Sequence, residues 1–172
     1  SKKYENVELA GFYWITEDFR DKSPLLPMVS DYVHSKGYPI TWIPYFQAPG
    51  YTEWREKGFD MAWHQPNYFF YNVPESQIKT ACEQAQANGM GMEMELDERA
   101  SVKPLWGDKS LDYKLRAYMK TFKECGAWAN CQLAYYQGTH AVRHLKDSSD
   151  PRDVELYQDL CDFIAKRPYR SK

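Results

Sequence analysis

Short apolar runs alternate along the chain with segments whose apolar residues recur at helical spacing. The runs are rich in aromatic and branched side chains and have the length of strands, so they predict five strands. They cover residues 7–15, 38–46, 59–67, 89–98 and 131–138. The first run, "VELAGFYWI", is predicted to be a buried strand because it contains hardly any polar residues.

Helices are predicted after these runs from capping residues and from apolar residues three or four positions apart. The predicted segments are 23–37, with Ser23 as N-cap and Gly37 as C-cap, 52–58, closed by Gly58, 72–89, 111–126, and 150–164, opened by Asp150 and Pro151. The residues expected to face the core are Leu26, Val29 and Val33, then Ile78, Ala81, Cys82 and Ala85, then Leu111, Leu115, Tyr118, Phe122 and Cys125, and finally Val154, Tyr157, Leu160, Cys161 and Ile164. Strict alternation of strand and helix predicts parallel strands joined by right-handed crossovers.

Two α/β folds have such alternation, the open doubly wound sheet and the (βα)8 barrel. No glycine-rich phosphate-binding loop follows a strand, as one usually does in dinucleotide-binding sheets. The strands end instead in polar and aromatic residues: Glu17, Tyr45, Gln47, His64, Gln65, Asn67, Glu95, Asp97, Tyr136 and Gln137. A barrel keeps its active site at these positions. The prediction is an α/β fold of about five βα repeats, a partial TIM barrel, in a single domain over residues 1–172.

The fourth run, "GMGMEMELDE", alternates apolar residues with carboxylates. In a strand Met90, Met92, Met94 and Leu96 would point to one side, and Gly91, Glu93, Glu95 and Asp97 to the other. In a barrel the methionines would pack under helices and the acids would point to the barrel axis near its mouth. An edge strand with one wet face explains the same alternation in an open sheet. The position between other βα units favours the barrel interpretation.

Composition narrows the class of ligand. The 172 residues suffice for one domain with a core. Lys and Arg number 22 against 24 Asp and Glu, for a net charge of -2, so no basic field attracts nucleic acid. Aromatic residues make up 16% of the chain, which favours a ligand with flat apolar faces such as a sugar.

No membrane span, cofactor or metal site is predicted. No apolar run approaches the ~20 residues of a membrane helix, and the sequence shows no signal-peptide pattern. The four cysteines, Cys82, Cys125, Cys131 and Cys161, lack zinc-site spacing. Free buried thiols are the favoured interpretation, with one disulfide left open.

The remaining polar residues at the strand ends suit a sugar site in type. His64, Gln65 and Asn67 are predicted either to hydrogen-bond sugar hydroxyls or to have purely structural roles. Tyr45, Tyr136 and Trp106 are predicted to stack on pyranose faces.

Four stretches, "LAGFYWITE", "WIPYF.A.G", "GFDMAWHQPNYFF" and "GMGMEMELDE", resemble the bacterial domain-of-unknown-function family 4855. The resemblance runs over nearly the whole chain. It implies a relative of TIM-barrel glycoside hydrolases from bacteria that degrade polysaccharides, and thus an extracytoplasmic location. It further implies that the chain provides strands four to eight of a barrel, with the first three strands or another copy of the chain as partner.

In the largest clan of barrel glycosidases the acid follows strand four and the nucleophile follows strand seven. Under the resemblance these places are taken by Glu17 and Glu95, with Glu93 as a neighbour able to raise a carboxyl pKa. Retaining enzymes hold the two carboxyl groups ~5 Å apart. The chain departs from the clan at Thr16, where Asn usually precedes the acid.

Two functions follow as hypotheses. The first is a glycoside hydrolase that uses Glu17 and Glu95, and binds its carbohydrate through Tyr45, Gln47, His64, Gln65, Asn67, Glu93, Asp97, Trp106 and Tyr136. The second is a non-catalytic carbohydrate-binding or structural barrel domain, in which the acids only hold a hydrogen-bond network. Fold class alone does not separate the two.

Overall fold

The structure is a computed structural model that describes residues 5–19 and 24–168. Five strands lie in these residues: β1 (Phe12–Trp14), β2 (Ile40–Trp42), β3 (Met61–His64), β4 (Gly91–Glu95) and β5 (Leu133–Tyr136). The α-helices in the same residues are α1 (Leu25–Ser35), α2 (Ser76–Ala87), α3 (Asp112–Glu124), α4 (Ala127–Asn130), α5 (Ala141–Lys146) and α6 (Pro151–Ala165). Each strand pairs in parallel with the next strand along the chain. The predicted α/β class with sequentially ordered parallel strands is therefore confirmed.

The chain divides into two compact units, one ending at Ala62 and one beginning at Trp63. The boundary lies within β3. The prediction of a single domain stays a prediction.

The first unit has an aromatic core around β2. Trp42 is fully buried, and its ring stacks on that of Phe59 with centroids 5.2 Å apart and lies 4.7 Å from that of Phe19. Helix α1 buries Leu26 and Val33, and Gly37 follows it with φ 77°, the left-handed conformation expected of a C-cap glycine. The predicted N-cap, Ser23, lies outside the described residues.

Two predictions for the first unit are wrong. Strand β1 has only three residues, and Phe12 and Tyr13 are 44% and 49% exposed instead of buried. Apolar side chains are buried only where another layer covers them, and α1 is the only α-helix among the described residues of this unit. The predicted helix over 52–58 is a 3₁₀ turn at Tyr51–Glu53, because so short a segment between two left-handed glycines, Gly50 and Gly58, cannot offset the cost of helix nucleation.

The second unit contains the predicted helical stripes. Helix α2 buries Ile78, Ala81, Cys82 and Ala85, and α3 buries Leu115, Tyr118 and Phe122 among others. Gly126 follows α3 with φ 80°, as its predicted role as a stop requires. Asp150 caps α6 as predicted, since its side chain accepts a hydrogen bond from the amide of Arg152 at 3.0 Å.

The buried stripe of α6 differs from the predicted one. Its buried apolar residues are Leu156, Leu160 and Phe163, whereas Val154 is exposed. The cause is Asp153, whose buried carboxylate accepts hydrogen bonds from the Ser101 hydroxyl at 2.7 Å, the Val102 amide at 2.8 Å and the Ser148 hydroxyl at 2.8 Å. These bonds fix a polar residue on the inner face of the helix, which apolar periodicity alone does not reveal.

Candidate functional site

Strand β4 lies between β3 and β5, and all five of its residues are buried. The interpretation as an edge strand with a wet face is therefore wrong. A Cβ at Gly91 would meet the ring of Trp63, so Gly91 and Trp63 share one face of the sheet. Because strand side chains alternate, Glu93 and Glu95 point to that same face. His64 lies beside Met92 on the opposite face.

Glu95 is the most firmly held of the predicted catalytic residues. One carboxylate oxygen accepts a short hydrogen bond from the hydroxyl of Tyr118 on α3. The other accepts from the side-chain amide of Asn67 at 3.4 Å, and Asn67 also donates to Gln65 at 2.9 Å. Glu95 is 2% exposed. The structure thus brings together three of the predicted site residues, Gln65, Asn67 and Glu95.

Tyr118 connects Glu95 with the loop that follows β3. Its hydroxyl oxygen accepts a hydrogen bond from the amide of Tyr68 at 3.2 Å while donating to Glu95. Burial, the negative charge of Glu95 and the hydrogen bond to it raise the pKa of Tyr118 well above its usual value. Tyr118 is therefore a neutral hydrogen-bond donor at neutral pH.

Lys114 places a buried cation near this network. Its ammonium group donates to the backbone carbonyls of Tyr68, Phe69 and Tyr71 at 2.7, 3.2 and 2.8 Å. Burial, and to a smaller extent the charge of Arg99, lower the pKa of Lys114, while the charge of Glu95 opposes that shift. A buried carboxylate is costly without such a partner, so Lys114 offsets part of the cost of burying Glu95.

The structure places His64 away from the acids. It is fully buried, and its Nε2 lies 3.0 Å from the side-chain oxygen of Gln84 on α2. Burial lowers the pKa of His64 to about 4, against the smaller opposing effect of Gln84, so the imidazole is neutral at pH 7. This contact favours the structural role that the sequence left open for His64.

The segment after β4 carries a second pair of carboxylates. Asp97 is buried and forms a two-pronged ion pair with Arg99, whose Nε and Nη2 lie 3.1 and 2.8 Å from Asp97 Oδ2. Glu98 is buried too, and it accepts hydrogen bonds from the Thr139 hydroxyl, from the His140 amide at 2.8 Å and from Trp106 Nε1 at 3.4 Å. Burial opposes ionisation of Glu98, but these bonds outweigh it and lower the pKa to about 2.

Aromatic side chains surround these acids and remain partly open to solvent. The guanidinium of Arg99 lies 4.3 Å from the ring centre of Trp106, and Phe70 meets the ring of Tyr136 edge to face at 5.7 Å. Trp106 and Tyr136 are each 50% exposed. Tyr136 is paired with Glu95 in the sheet, so the exposed ring of Tyr136 and the buried acid lie on neighbouring strands. Exposed rings of this kind suit stacking on a flat apolar ligand face.

The other predicted site residues lie in the first unit. Glu17 is exposed in the loop after β1. The hydroxyl of Tyr45 donates to Asp18 at 3.1 Å, and Gln47 is exposed with a left-handed backbone, φ 56°. Asn67 of the second unit has a similar φ of 54°. Left-handed residues other than glycine are uncommon and often lie at functional loops.

Sequence reasoning missed Tyr118, Lys114, Glu98 and Arg99. Tyr118 was predicted only as a core residue of α3, and its helical stripe carries no sign that its hydroxyl reaches Glu95. Lys114 lies next to an apolar position of the same helix and resembles any solvated lysine. Glu98 belongs to the acidic run already singled out, so its position directly after Asp97 was the one signal for a longer carboxylate series.

Among residues 5–19 and 24–168, no group of three or more His, Cys, Asp or Glu side chains is arranged to hold a metal ion. No helix in these same ranges is long and apolar enough to cross a membrane.

Sequential parallel strands, intervening helices and a carboxylate-rich internal strand define an α/β protein built from βα repeats. The chain matches the family described as Domain of unknown function (DUF4855) over residues 1–162, and it belongs to that family. No curated protein is similar enough to the chain to count as a match.

Proposed function

We propose that the chain is part of a glycoside hydrolase-like barrel protein that cleaves a glycosidic bond with two carboxyl groups. Glu95 is the nucleophile in this proposal, and Glu17 is the acid that the resemblance assigns. The observation that carries it is the environment of Glu95, which receives hydrogen bonds from Tyr118 and Asn67 and has the buried ammonium of Lys114 nearby. A fixed carboxylate beside a cation is suited to attack an anomeric carbon.

The exposed rings of Trp106 and Tyr136 support a carbohydrate as the ligand. Trp106 and Tyr136 offer half-exposed rings on which pyranose faces stack, and Gln65, Asn67, Asp97 and Glu93 supply amides and carboxylates for sugar hydroxyls. The finer parts of the proposal rest on the resemblance: a TIM barrel of which this chain forms strands four to eight, a bacterial source and an extracytoplasmic location.

The alternative is a carbohydrate-binding or structural domain without catalysis. One observation favours it: Glu95 is 2% exposed and hydrogen-bonded through both oxygens, as expected of an acid that only stabilises the fold. In that case Trp106 and Tyr136 still bind sugar, but no bond is cleaved.

The test is a glycan array with the full-length protein, followed by a hydrolysis screen on every glycan that binds. We expect Glu95→Gln, which keeps the shape of the side chain, to lower the hydrolysis rate on the order of 10³-fold while glycan binding is retained. Glu17→Gln is expected to slow hydrolysis most for substrates with poor leaving groups, because the acid assists departure.

The matched control is Glu83→Gln, on the exposed face of α2, where the carboxylate pairs with Lys79 at 3.1 Å. We expect this variant to hydrolyse at the unchanged rate. Full turnover by Glu95→Gln would refute the catalytic proposal. Glycan binding by the unmodified protein without any hydrolysis would establish the alternative.

A further inference from the structure

Cys82, Cys125 and Cys131 converge although they lie in different elements of the second unit. Cys82 is on α2, Cys125 follows α3, and Cys131 precedes β5. The thiol of Cys82 donates a hydrogen bond to the sulfur of Cys125. Cys131 is close enough to act electrostatically on Cys82 and to be acted on by Cys125. Two thiols are therefore in contact between α2 and the end of α3.

A second contact places the same surfaces together. Gln86 lies one helical turn after Cys82 on the same face of α2. Its side-chain amide donates to the backbone carbonyl of Cys125 at 2.8 Å. The face of α2 that carries Cys82 therefore lies directly against the end of α3, independently of the thiols.

The two thiols differ in access and in chemistry. Cys82 is fully buried, whereas Cys125 is half-buried. The hydrogen bond from Cys82, together with the amides of Ala127 and of Cys125 itself, lowers the pKa of Cys125 to about 7 against the effect of burial. The same hydrogen bond and burial raise the pKa of Cys82. Cys125 is thus the more acidic thiol of the pair and the one that solvent reaches, whereas Cys82 is the buried partner.

We propose that Cys82 and Cys125 are a redox-active pair, in which a hydroperoxide oxidises Cys125 and Cys82 then closes a disulfide between α2 and the end of α3. In the first step the Cys125 thiolate attacks one peroxide oxygen, the O–O bond breaks, the other oxygen leaves as hydroxide, and Cys125 becomes a sulfenic acid. In the second step the sulfur of Cys82 displaces the sulfenic hydroxyl, which leaves as water with the Cys82 proton. Two thiols and one hydrogen peroxide yield one disulfide and two waters, so the two electrons of the thiols reduce the peroxide.

The experiment treats the reduced, folded protein with hydrogen peroxide and maps disulfides by mass spectrometry of unreduced peptides. We expect a single bond between Cys82 and Cys125. In Cys82→Ala we expect no disulfide at Cys125 and, instead, a sulfenic acid there that dimedone traps. The matched controls are Cys161→Ala and Cys131→Ala, which are expected to form the same disulfide as the unmodified protein.

The rate of alkylation by iodoacetamide provides a second measurement without oxidant. At pH 7 we expect Cys125 in the folded protein to react severalfold faster than a cysteine in an unstructured peptide, because its lowered pKa increases the fraction present as thiolate. In Cys82→Ala this advantage is expected to fall severalfold, since the donor is lost. Circular dichroism verifies that each variant is folded.

Several results would overturn the proposal: a disulfide that runs through Cys131, no disulfide after oxidation of the unmodified protein, or an alkylation rate of Cys125 unchanged by Cys82→Ala. None of these measurements depends on glycan binding or hydrolysis. The redox proposal and the proposed function can therefore be refuted independently of each other.

Discussion

Glu98 connects two segments of the second unit through a single side chain. Its carboxylate binds the Thr139 hydroxyl and the His140 amide after β5, and Trp106 on the loop before α3. Gly138 lies against the neighbouring Asp97 with a left-handed φ of 67°, so the chain passes close to the acids there. Glu98 thereby positions Trp106, one of the proposed sugar-stacking rings.

This role predicts a pH-dependent contribution of Glu98 to stability. Its folded-state pKa is about 2, below the ordinary value of 4.5. The stabilisation is therefore complete above about pH 5 and is lost as the pH falls from about 4.5 to about 2. We expect Glu98→Gln to lower the free energy of unfolding by roughly 1–2 kcal/mol at pH 7 and by progressively less toward pH 2. Urea denaturation at a series of pH values measures both quantities.

Glu83→Gln again is the control, because its exposed ion pair is worth less than about 0.5 kcal/mol. If Glu98→Gln and the unmodified protein differed equally at pH 7 and pH 2.5, the hydrogen bonds of Glu98 would not depend on its charge, and the assigned role would be wrong.

At the scale of elements, β4 is the strand on which the candidate site depends. It is paired on both sides and buried on both faces, so its register with β5 decides which residues accompany Glu95. Gly91 at its start allows this close packing. A Cβ there would lie 2.6 Å from the carbonyl oxygen of Gln132 and would also meet the ring of Trp63.

Gly91→Ala is therefore expected to destabilise the second unit by about 1–3 kcal/mol, because backbone and a tryptophan ring must both shift. Gly126→Ala is the matched control in the same unit. Its new methyl group meets only the end of the Asn130 side chain, so strain from φ 80° is its main cost, about 1 kcal/mol. Thermal unfolding followed by circular dichroism compares the two. A smaller loss for Gly91→Ala than for Gly126→Ala would contradict the packing described for β4.

At the scale of the whole molecule, the family assignment covers residues 1–162. The first unit exposes large apolar side chains on β1, on its flanking loops and on α1: Val7, Leu9, Phe12, Tyr13, Ile15, Leu25, Met28 and Tyr32. Exposed apolar surface of this extent is unusual for a protein that stays monomeric. The resemblance implies that other barrel strands or a second copy of the chain cover this part, and that stays a prediction.

We therefore expect the chain by itself to self-associate. Its light-scattering mass should exceed the 20.3 kDa of one chain and rise with protein concentration. Ile15→Lys combined with Met28→Lys is expected to shift the mass toward that of a monomer. Val154→Lys, at an exposed apolar position of the second unit, is the control that should leave it unchanged. A strictly monomeric protein at all concentrations would refute this prediction.

The sequence by itself determined the order of the five strands and of the helices α1, α2, α3 and α6, the buried stripe of α2, the cap of α6 and the common face of Glu93 and Glu95. These features follow from periodicity and capping, which act between residues a few positions apart. Sequence reasoning did not reveal that β1 is exposed or that α6 buries the face that carries Asp153. Both features depend on which layers cover an element. Only the tertiary structure decided that Tyr118 bonds Glu95, that Glu98 holds Trp106 and that Cys82 meets Cys125. Such contacts join segments far apart in the chain, so the local spacing of residues does not predict them.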